Sequence, residues 1–395
     1  NLPDEEVVIE NHSPQPRILH NFEFHGRSGE FFRIWIVNLV LSIVTFGIYS
    51  AWAKVRTTQY FYGNTILDGS AFEYTASPIQ ILKGRLIAMG MLLGYAIVSR
   101  LLPGLANGVF ILGALLVPAI IVLSMAFRMR YSSWRGINFG FNRNFGTAYL
   151  LFLPLLAYLL VTLFLPGLLG ISEELISQAN GTESTVDDLT PELSTALLSY
   201  FEITGTLVII GGLLFPWWQK MFYLFVANNT RFGSTKFQFN AITLEFYSIY
   251  IGAFLVLLTS LVVLGIAAAL LLKIIPSEAA VLLTPVLFLP YAMTAAYIQT
   301  KRTNIIYSNL LLDEIGFSSN LEAKRMMWLY ATNTLAILLS FGMAIPWAMI
   351  RMARYRASTM QLLATDFSGF AAAQAVNQTA LGDGASDIFD IEIGI

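Results

Sequence analysis

Eight apolar segments dominate the hydropathy pattern, and each approaches the length that crosses a bilayer. They cover residues 32–53, 86–102, 105–127, 147–171, 198–219, 247–272, 279–299 and 327–349. About 20 apolar residues in a helix span the hydrocarbon core. The pattern therefore predicts an all-α polytopic membrane protein, in which the Leu-Pro-Gly turn at 102–104 joins two segments into a tight helical hairpin.

The polar connections between these segments alternate in charge. Lys and Arg are concentrated after the first, third, fifth and seventh segments, whereas the connection at 172–196 carries six acidic residues and no basic one. Positively charged connections stay on the cytoplasmic side of a membrane. The alternation thus predicts cytoplasmic basic connections and an external acidic loop at 172–196.

A short motif recurs in these basic connections. The copies are Thr65-x-Leu67-x-Gly69-x-x-Phe72-x-Tyr74, Ser132-x-Trp134-x-Gly136-x-x-Phe139-x-Phe141, Thr230-x-Phe232-x-Ser234-x-x-Phe237-x-Phe239, and a reduced form, Leu312-x-Glu314-x-x-Phe317. Period-two alternation around a two-residue turn is typical of a β-hairpin. We predict an internal repeat of small cytoplasmic β-hairpins near 64–74, 131–141, 229–239 and 309–319. Phe22-Glu23-Phe24 resembles the second strand of such a hairpin.

The first and last apolar segments match each other at a constant spacing of 295 residues. The matched residues are Asn38, Thr45, Phe46, Gly47, Trp52, Ala53, Arg56 and Tyr60 with Asn333, Ser340, Phe341, Gly342, Trp347, Ala348, Arg351 and Tyr355. Both segments are basic at both ends, and both contain a central break at Gly. Two re-entrant or interfacial helical segments fit the charge rule. The prediction is therefore six transmembrane helices plus these two segments, with both termini cytoplasmic. The alternative is eight spans with both termini outside.

Composition narrows the function classes. The chain of 395 residues is 56% apolar and 12% charged, with a net charge of −2 and a mean hydropathy of +0.65. The charge gives no indication of nucleic-acid binding, and the absence of cysteine excludes disulfides and thiolate sites. His12, His20 and His25 have no metal-ligand spacing. No cleavable signal peptide is visible at the acidic N-terminus. No catalytic motif is present, so we expect no enzyme, no metal and no cofactor.

The same features divide the chain into regions. We predict a polar N-terminal segment at 1–26, one membrane domain at 27–357 that includes the external loop at 172–196, and an acidic tail at 358–395. The expected partner is the phospholipid bilayer.

The stretch FFRIWIVNLVLSIVTFGIYSAWAKVRTTQYFYGNT at 31–65, continued by FEY and ILKGRL, resembles the YjgN family of bacterial inner-membrane proteins. The resemblance extends over about 20–360. It implies a multi-pass inner-membrane protein, and it brings no activity, substrate or catalytic residue.

Three groups of candidate residues follow from the two matched segments and the membrane edges. A cavity is predicted at Asn38, Thr45, Gly47, Asn333, Ser340 and Gly342. Interface anchors are predicted at Trp52, Lys54, Arg56, Trp217, Trp347 and Arg351. Arg100 and Glu202 could form an ion pair near the outer surface.

Two functions are compatible with these residues. Interrupted helices at matching places in two halves of a chain are typical of transporters. The first function is therefore a transporter or channel for a small neutral or lipidic solute. The second is a non-transporting membrane scaffold or lipid-interacting protein, in which the basic residues and tryptophans hold the headgroup layer.

Overall fold

A computed structural model describes residues 17–171, 191–271, 273 and 286–380. The strands are β1 (Ile18–Phe24), β2 (Thr65–Leu67), β3 (Ser70–Tyr74), β4 (Ser132–Trp134), β5 (Ile137–Phe141), β6 (Thr230–Phe232), β7 (Thr235–Phe239), β8 (Leu310–Leu312), β9 (Ile315–Ser319) and β10 (Met360–Ala364). The helices are α1 (Ser28–Val44), α2 (Ser50–Gly63), α3 (Pro78–Leu101), α4 (Pro103–Arg130), α5 (Phe145–Leu168), α6 (Pro191–Asn229), α7 (Thr243–Leu271), α8 (Leu289–Ser308), α9 (Ala323–Leu339), α10 (Ile345–Ser358) and α11 (Phe367–Ala380).

The ten strands form one closed antiparallel barrel. Each strand pairs with the next along the chain, and β1 closes the ring by pairing with both β2 and β10. The closing ladder matches His20 with Leu362 and Asn21 with Gln361. The prediction of an all-α fold with six transmembrane helices is therefore wrong, because the fold combines helices with a barrel that joins the two ends of the described chain.

Short strands explain why the barrel is inconspicuous in the sequence. Four hairpins join a three-residue strand to a five-residue strand through two turn residues. In the β2–β3 turn, Asp68 and Gly69 both have positive φ, at 48° and 71°. Two such residues form a type I′ turn, whose twist matches that of the paired strands. A single hairpin of this size is marginal in water, so closure into a barrel supplies the missing partners on both edges.

The topology consists of five consecutive β–α–α–β units, at 18–67, 70–134, 137–232, 235–312 and 315–364. Each unit leaves the barrel through one helix and returns through the next. Each of the helices α1 to α9 contacts the following one, and α10 contacts α1. A ring of helices therefore stands on one end of the barrel, and the turns lie at the other end. That the units are copies of one ancestral repeat stays a prediction.

Five helices in the described part of the chain are long and apolar enough to cross a membrane. They are Pro78–Leu101, Pro103–Arg130, Phe145–Leu168, Ser194–Asn229 and Thr243–Leu270. The sixth predicted span, at 279–299, falls partly outside the described residues, and α8 begins at Leu289. Residues 172–190 of the predicted acidic loop, together with 1–16 and 381–395, also lie outside them.

The first and fifth units contain the shortest helical hairpins. Helix α1 ends at Val44 and α2 begins at Ser50, while α9 ends at Leu339 and α10 begins at Ile345. At 17 residues, α1 and α9 are each about 25 Å long at 1.5 Å per residue, less than the roughly 30 Å hydrocarbon core. Whether these two hairpins are re-entrant in the bilayer stays a prediction.

The tip of each short hairpin has the same backbone geometry. Phe46 and Gly47 have φ of 50° and 88°, and Phe341 and Gly342 have φ of 49° and 90°. Gly47 N–H donates to the Ser42 carbonyl at 2.7 Å, so the left-handed pair closes the end of α1. A phenylalanine in this conformation costs about 1–2 kcal/mol, and both rings are almost fully exposed.

Candidate functional site

A layer of apolar side chains crosses the interior of the barrel. Each of β1, β3, β5, β7 and β9 contributes one phenylalanine, which lies directly opposite a Leu, Trp or Phe of the neighbouring strand. The pairs are Phe22–Leu67, Phe72–Trp134, Phe139–Phe232, Phe237–Leu312 and Phe317–Leu362. We call these ten residues the aromatic girdle. Because inward and outward residues alternate along a strand, the girdle follows from the common register of the five units.

Helix α11 covers the end of the barrel that carries the turns. Phe367 stacks on the girdle residue Trp134, with ring centroids 4.9 Å apart. Gln374 is buried and accepts hydrogen bonds from Ser234 N–H and Ser234 Oγ, each at 2.9 Å. Gln374 Nε2 also donates to Thr235 Oγ1 at 2.8 Å. These contacts fix α11 on the β6–β7 turn and close this end of the barrel.

A cavity of about 500 Å³ lies between the girdle and the ends of the returning helices. Its walls are mainly apolar, and the hydroxyl groups of Thr65 and Ser132 already have partners. Thr65 Oγ1 donates to the Phe61 carbonyl at 2.8 Å, and Ser132 Oγ donates to the Arg128 carbonyl at 2.8 Å. The walls therefore present few free polar groups, which suits an apolar occupant of the size that ligand cavities of 300–1,000 Å³ accept.

The polar groups of the cavity lie at the helix ends. Arg128 of α4 and Arg356 of α10 line it there, together with Tyr62 and Tyr307. Tyr307 lies in the last turn of α8, outside the five candidate spans. Burial raises the pKa of its phenol, and the nearby Arg356 opposes that rise. The phenol is therefore neutral at physiological pH. The cavity combines an apolar interior with two cationic side chains at its rim.

A second cavity, of about 460 Å³, continues from the first between α2, α9 and α10. The two share Ala353 and Arg356 in their walls. The second cavity is lined further by Tyr330, Asn333 and Ile337 of α9. The two cavities therefore adjoin at α10, beside the helical hairpin of the fifth unit.

The six predicted cavity residues lie on α1, α9 and the tips of the two short hairpins. Of the three cavities described here, Asn333 lines one, and the other five residues line none of them. The Thr45 and Ser340 hydroxyls instead accept hydrogen bonds from Tyr49 N–H and Ala344 N–H, both at 2.9 Å, and so hold the hairpin tips. Gly47 and Gly342 belong to the same tips.

The two matched asparagines have different surroundings. Asn333 Oδ1 accepts a hydrogen bond from Arg351 Nη1 at 2.9 Å. Asn38 is 5% exposed, and neither its side-chain nitrogen nor its oxygen has a hydrogen-bond partner. Its counterpart cation, Arg56, donates instead to Tyr49 Oη at 2.9 Å.

The predicted anchors are distributed along the helices, and the structure shows them to differ in exposure. Trp217 and Trp347 are each 41% exposed, and the Arg351 guanidinium lies 5.0 Å from the Trp347 ring centroid. Trp52 is half-buried and stacks on Tyr49. Lys54 is exposed.

Arg100 and Glu202 lie on α3 and α6, which are not neighbours in the helix ring. Both side chains are exposed, and the ion pairs among described residues do not include this one.

Sequence reasoning missed the cavity inside the barrel, although it found the residues of its wall. The recurring phenylalanine of each hairpin motif is the girdle phenylalanine, and Phe22 provides the fifth. The sequence predicted separate hairpins and did not predict that they pair with one another. Among the described residues, no group of His, Asp or Glu is arranged to hold a metal ion.

Replacing Gln374 by Ala is expected to loosen α11 from the barrel. It removes three hydrogen bonds and leaves Ser234 N–H without its partner, at a cost of about 1–3 kcal/mol. Chymotrypsin should then cleave after Phe370 faster than in the unmodified protein, as followed by mass spectrometry. Ser368→Ala, on the exposed side of the same helix, should leave the rate unchanged. Equal cleavage of Gln374→Ala and unmodified protein would contradict the closing role of α11.

Comparison with known proteins gives a family and several relatives. A family model described as "Bacterial protein of unknown function (DUF898)" matches residues 19–388. "Inner membrane protein YjgN" of Salmonella typhimurium strain LT2 is 25% identical over 370 residues, which are 87% of this chain and 88% of that protein. The proteins of the same name from Escherichia coli O157:H7 and K12 are 27% and 25% identical over 260 residues, 62% of this chain and 58% of each relative. No solved structure matches.

Proposed function

We propose that this chain, which belongs to the DUF898 family of bacterial proteins of unknown function, binds a small lipidic solute in the barrel cavity and moves it along the helix ring. The resemblance of residues 31–65 predicted this family, and the relatives are named inner membrane proteins. The transport step is the part of this proposal that goes beyond an inner-membrane protein of unknown function. The proposal assigns no catalytic reaction to the chain.

The observation that carries the proposal is the cavity beneath the helix ring. The girdle and α11 close it towards the turns, so a solute enters and leaves through the end that faces the helices. Its apolar wall favours an acyl chain over a polar neutral solute, because burying an unpaired polar group is costly. Arg128 and Arg356 at the rim complement a polar or anionic headgroup.

The test exploits Ala353, which lines both cavities. Ala353→Trp fills the connection between them with a large side chain and should block passage of a solute. The measurement is the rate at which a fluorescently labelled phospholipid changes leaflet in proteoliposomes. We expect the unmodified protein to exceed protein-free vesicles, and Ala353→Trp to fall back to their rate.

A matched control places the same side chain elsewhere. Ala269→Trp on the exposed surface of α7 should retain the rate of the unmodified protein. Thermal unfolding of both variants in detergent excludes a folding defect as the cause. If the unmodified protein moves the lipid no faster than empty vesicles, the transport proposal fails.

A non-transporting scaffold is the second candidate, and the hairpin tips favour it. Phe46 and Phe341 are 97% and 98% exposed and occupy a strained backbone conformation. Exposed aromatic rings at the end of a hairpin suit insertion into lipid. Under this function, Ala353→Trp should change nothing, whereas Phe46→Ser with Phe341→Ser should weaken retention of the two hairpins in the bilayer. The depth of a spin label at Met343 measures that retention.

A further inference from the structure

A third cavity, of about 370 Å³, lies where the fifth unit meets the first. Arg325 of α9 and Arg351 and Arg354 of α10 line it, and the buried side chains of Leu329 and Ile350 lie in its wall. The remaining wall residues are Ser28, Trp347, Tyr355 and Ser358. We call this the arginine pocket. It shares no residue with the barrel cavity, so the inference below is independent of the proposed function.

The positive charge of this pocket is not neutralised. Arg325 lies close enough to Arg351 for the two charges to repel each other. Arg351 donates to Thr332 Oγ1 and Asn333 Oδ1, and Arg354 donates to the Gly26 carbonyl at 3.1 Å, all uncharged acceptors. Among the described residues, no carboxylate lies within ion-pair distance of the three arginines. Three guanidinium groups thus line one pocket, and these hydrogen bonds go to uncharged acceptors.

The helix geometry adds to this positive potential. Ser28 is the first residue of α1 and Arg325 lies in the first turn of α9, so the N-terminal ends of two helices face the pocket region. The helix dipole favours negative charge at such an end, and a basic residue there is unfavourable in isolation. An arginine at this position therefore costs stability unless an anion binds beside it.

The matching place in the first unit provides an internal comparison. Tyr60 Oη accepts from Arg27 N–H at 2.8 Å, as Tyr355 Oη accepts from Glu322 N–H at 3.0 Å, so the two units share one framework. At the 295-residue spacing, however, Glu30 corresponds to Arg325 and Gln59 to Arg354. The first unit thus has one carboxylate and one amide where the fifth unit has two arginines. The fifth unit's own carboxylate, Glu322, stands at the position of Arg27, and the ion pairs among the described residues do not join it to the three arginines.

We propose that the arginine pocket binds a phosphate group, either the phosphodiester of an anionic phospholipid or free inorganic phosphate. Arginine presents its N–H groups in a planar fork that matches phosphate oxygens. Ser28 places a further hydroxyl group in the same wall, and the Trp347 ring lies where the glycerol part of a lipid would pack.

The experiment compares the full chain with a variant that copies the first unit, Arg325→Glu with Arg354→Gln. Binding of phosphatidylglycerol is measured by native mass spectrometry of the detergent-solubilised protein, and binding of inorganic phosphate by calorimetry. The unmodified protein should retain phosphatidylglycerol or bind phosphate. The variant should bind at least about tenfold more weakly, since it loses two charge-assisted contacts.

Two comparisons keep the result specific. Lys236→Gln removes an exposed cation of β7 that does not line the pocket and should leave phosphate and lipid binding unchanged. Competition of phosphatidylglycerol by millimolar phosphate identifies the free anion as a ligand, and its failure identifies the lipid; either result supports the pocket. The proposal is overturned if the double variant, folded by its thermal transition, binds both probes as the unmodified protein does, or if the unmodified protein binds neither.

Discussion

Trp134→Ala is expected to be the most destabilising single truncation in the barrel. Trp134 is 2% exposed and is the largest fully buried side chain among the described residues. It packs on Phe72, Phe232 and Phe367, and its Nε1 donates to the Ser70 carbonyl at 3.3 Å. Removing a buried aromatic ring of this size costs about 3–5 kcal/mol. Unfolding by sodium dodecyl sulfate in mixed micelles, followed by circular dichroism, measures that loss.

Trp217→Ala is the matched control for this truncation. Trp217 is 41% exposed on α6, so its truncation removes less buried area than that of Trp134 and should cost at least about 2 kcal/mol less. Both variants lose one indole, so any difference between them reports burial. Equal destabilisation by Trp134→Ala and Trp217→Ala would contradict a packed girdle at the centre of the barrel.

A further consequence of Trp134→Ala concerns the β2–β3 turn. Arg135 lies over the Trp134 ring at 4.4 Å and forms an ion pair with Asp68 at 2.8 Å. Asp68 is also 3.2 Å from His20 Nδ1 on β1. The loss of the ring therefore weakens a contact chain that links β1, the β2–β3 turn and the β4–β5 turn. The unfolding transition should lose cooperativity as well as stability.

Much of the local structure could be predicted from the sequence. The hairpin motifs lie on the paired strands β2–β3, β4–β5, β6–β7 and β8–β9, because their two-residue turns and alternating side chains are local signals. The breaks at Thr45–Gly47 and Ser340–Gly342 also separate helices, since a left-handed residue pair ends a helix wherever it occurs.

The closure of the barrel could not be predicted in the same way. It depends on β1 and β10, which pair across more than 300 residues, and a five-residue strand such as Met360–Ala364 carries too little periodicity to be recognised alone. Because closure of the barrel was not predicted, the recurring phenylalanines were not assigned a common interior. The predicted cavity was placed around Asn38 and Asn333 instead. The arginine pocket was missed for the same reason, because Ser28 and Arg354 meet only through the contact of the first and fifth units.

Single-cysteine labelling should show Ser358→Cys protected and Ser184→Cys reactive towards an impermeant maleimide in intact cells. Because β1, β2 and β10 belong to one barrel, the chain enters and leaves both short hairpins at the same end. Ser358 ends α10 beside that barrel, and the basic residues there, Arg354 and Arg356, favour the cytoplasm. Ser184 belongs to the acidic connection, outside the described residues.

The unmodified chain has no cysteine, so it serves as its own background, and permeabilised cells supply the positive control for Ser358→Cys. Labelling of Ser358→Cys from outside would place the barrel and the arginine pocket in the periplasm and would contradict the charge rule. Protection of Ser358→Cys, by contrast, brings the pocket to the cytoplasmic leaflet, where anionic phospholipids attract basic segments. The labelling result therefore decides which leaflet can supply a phosphate to Arg325, Arg351 and Arg354.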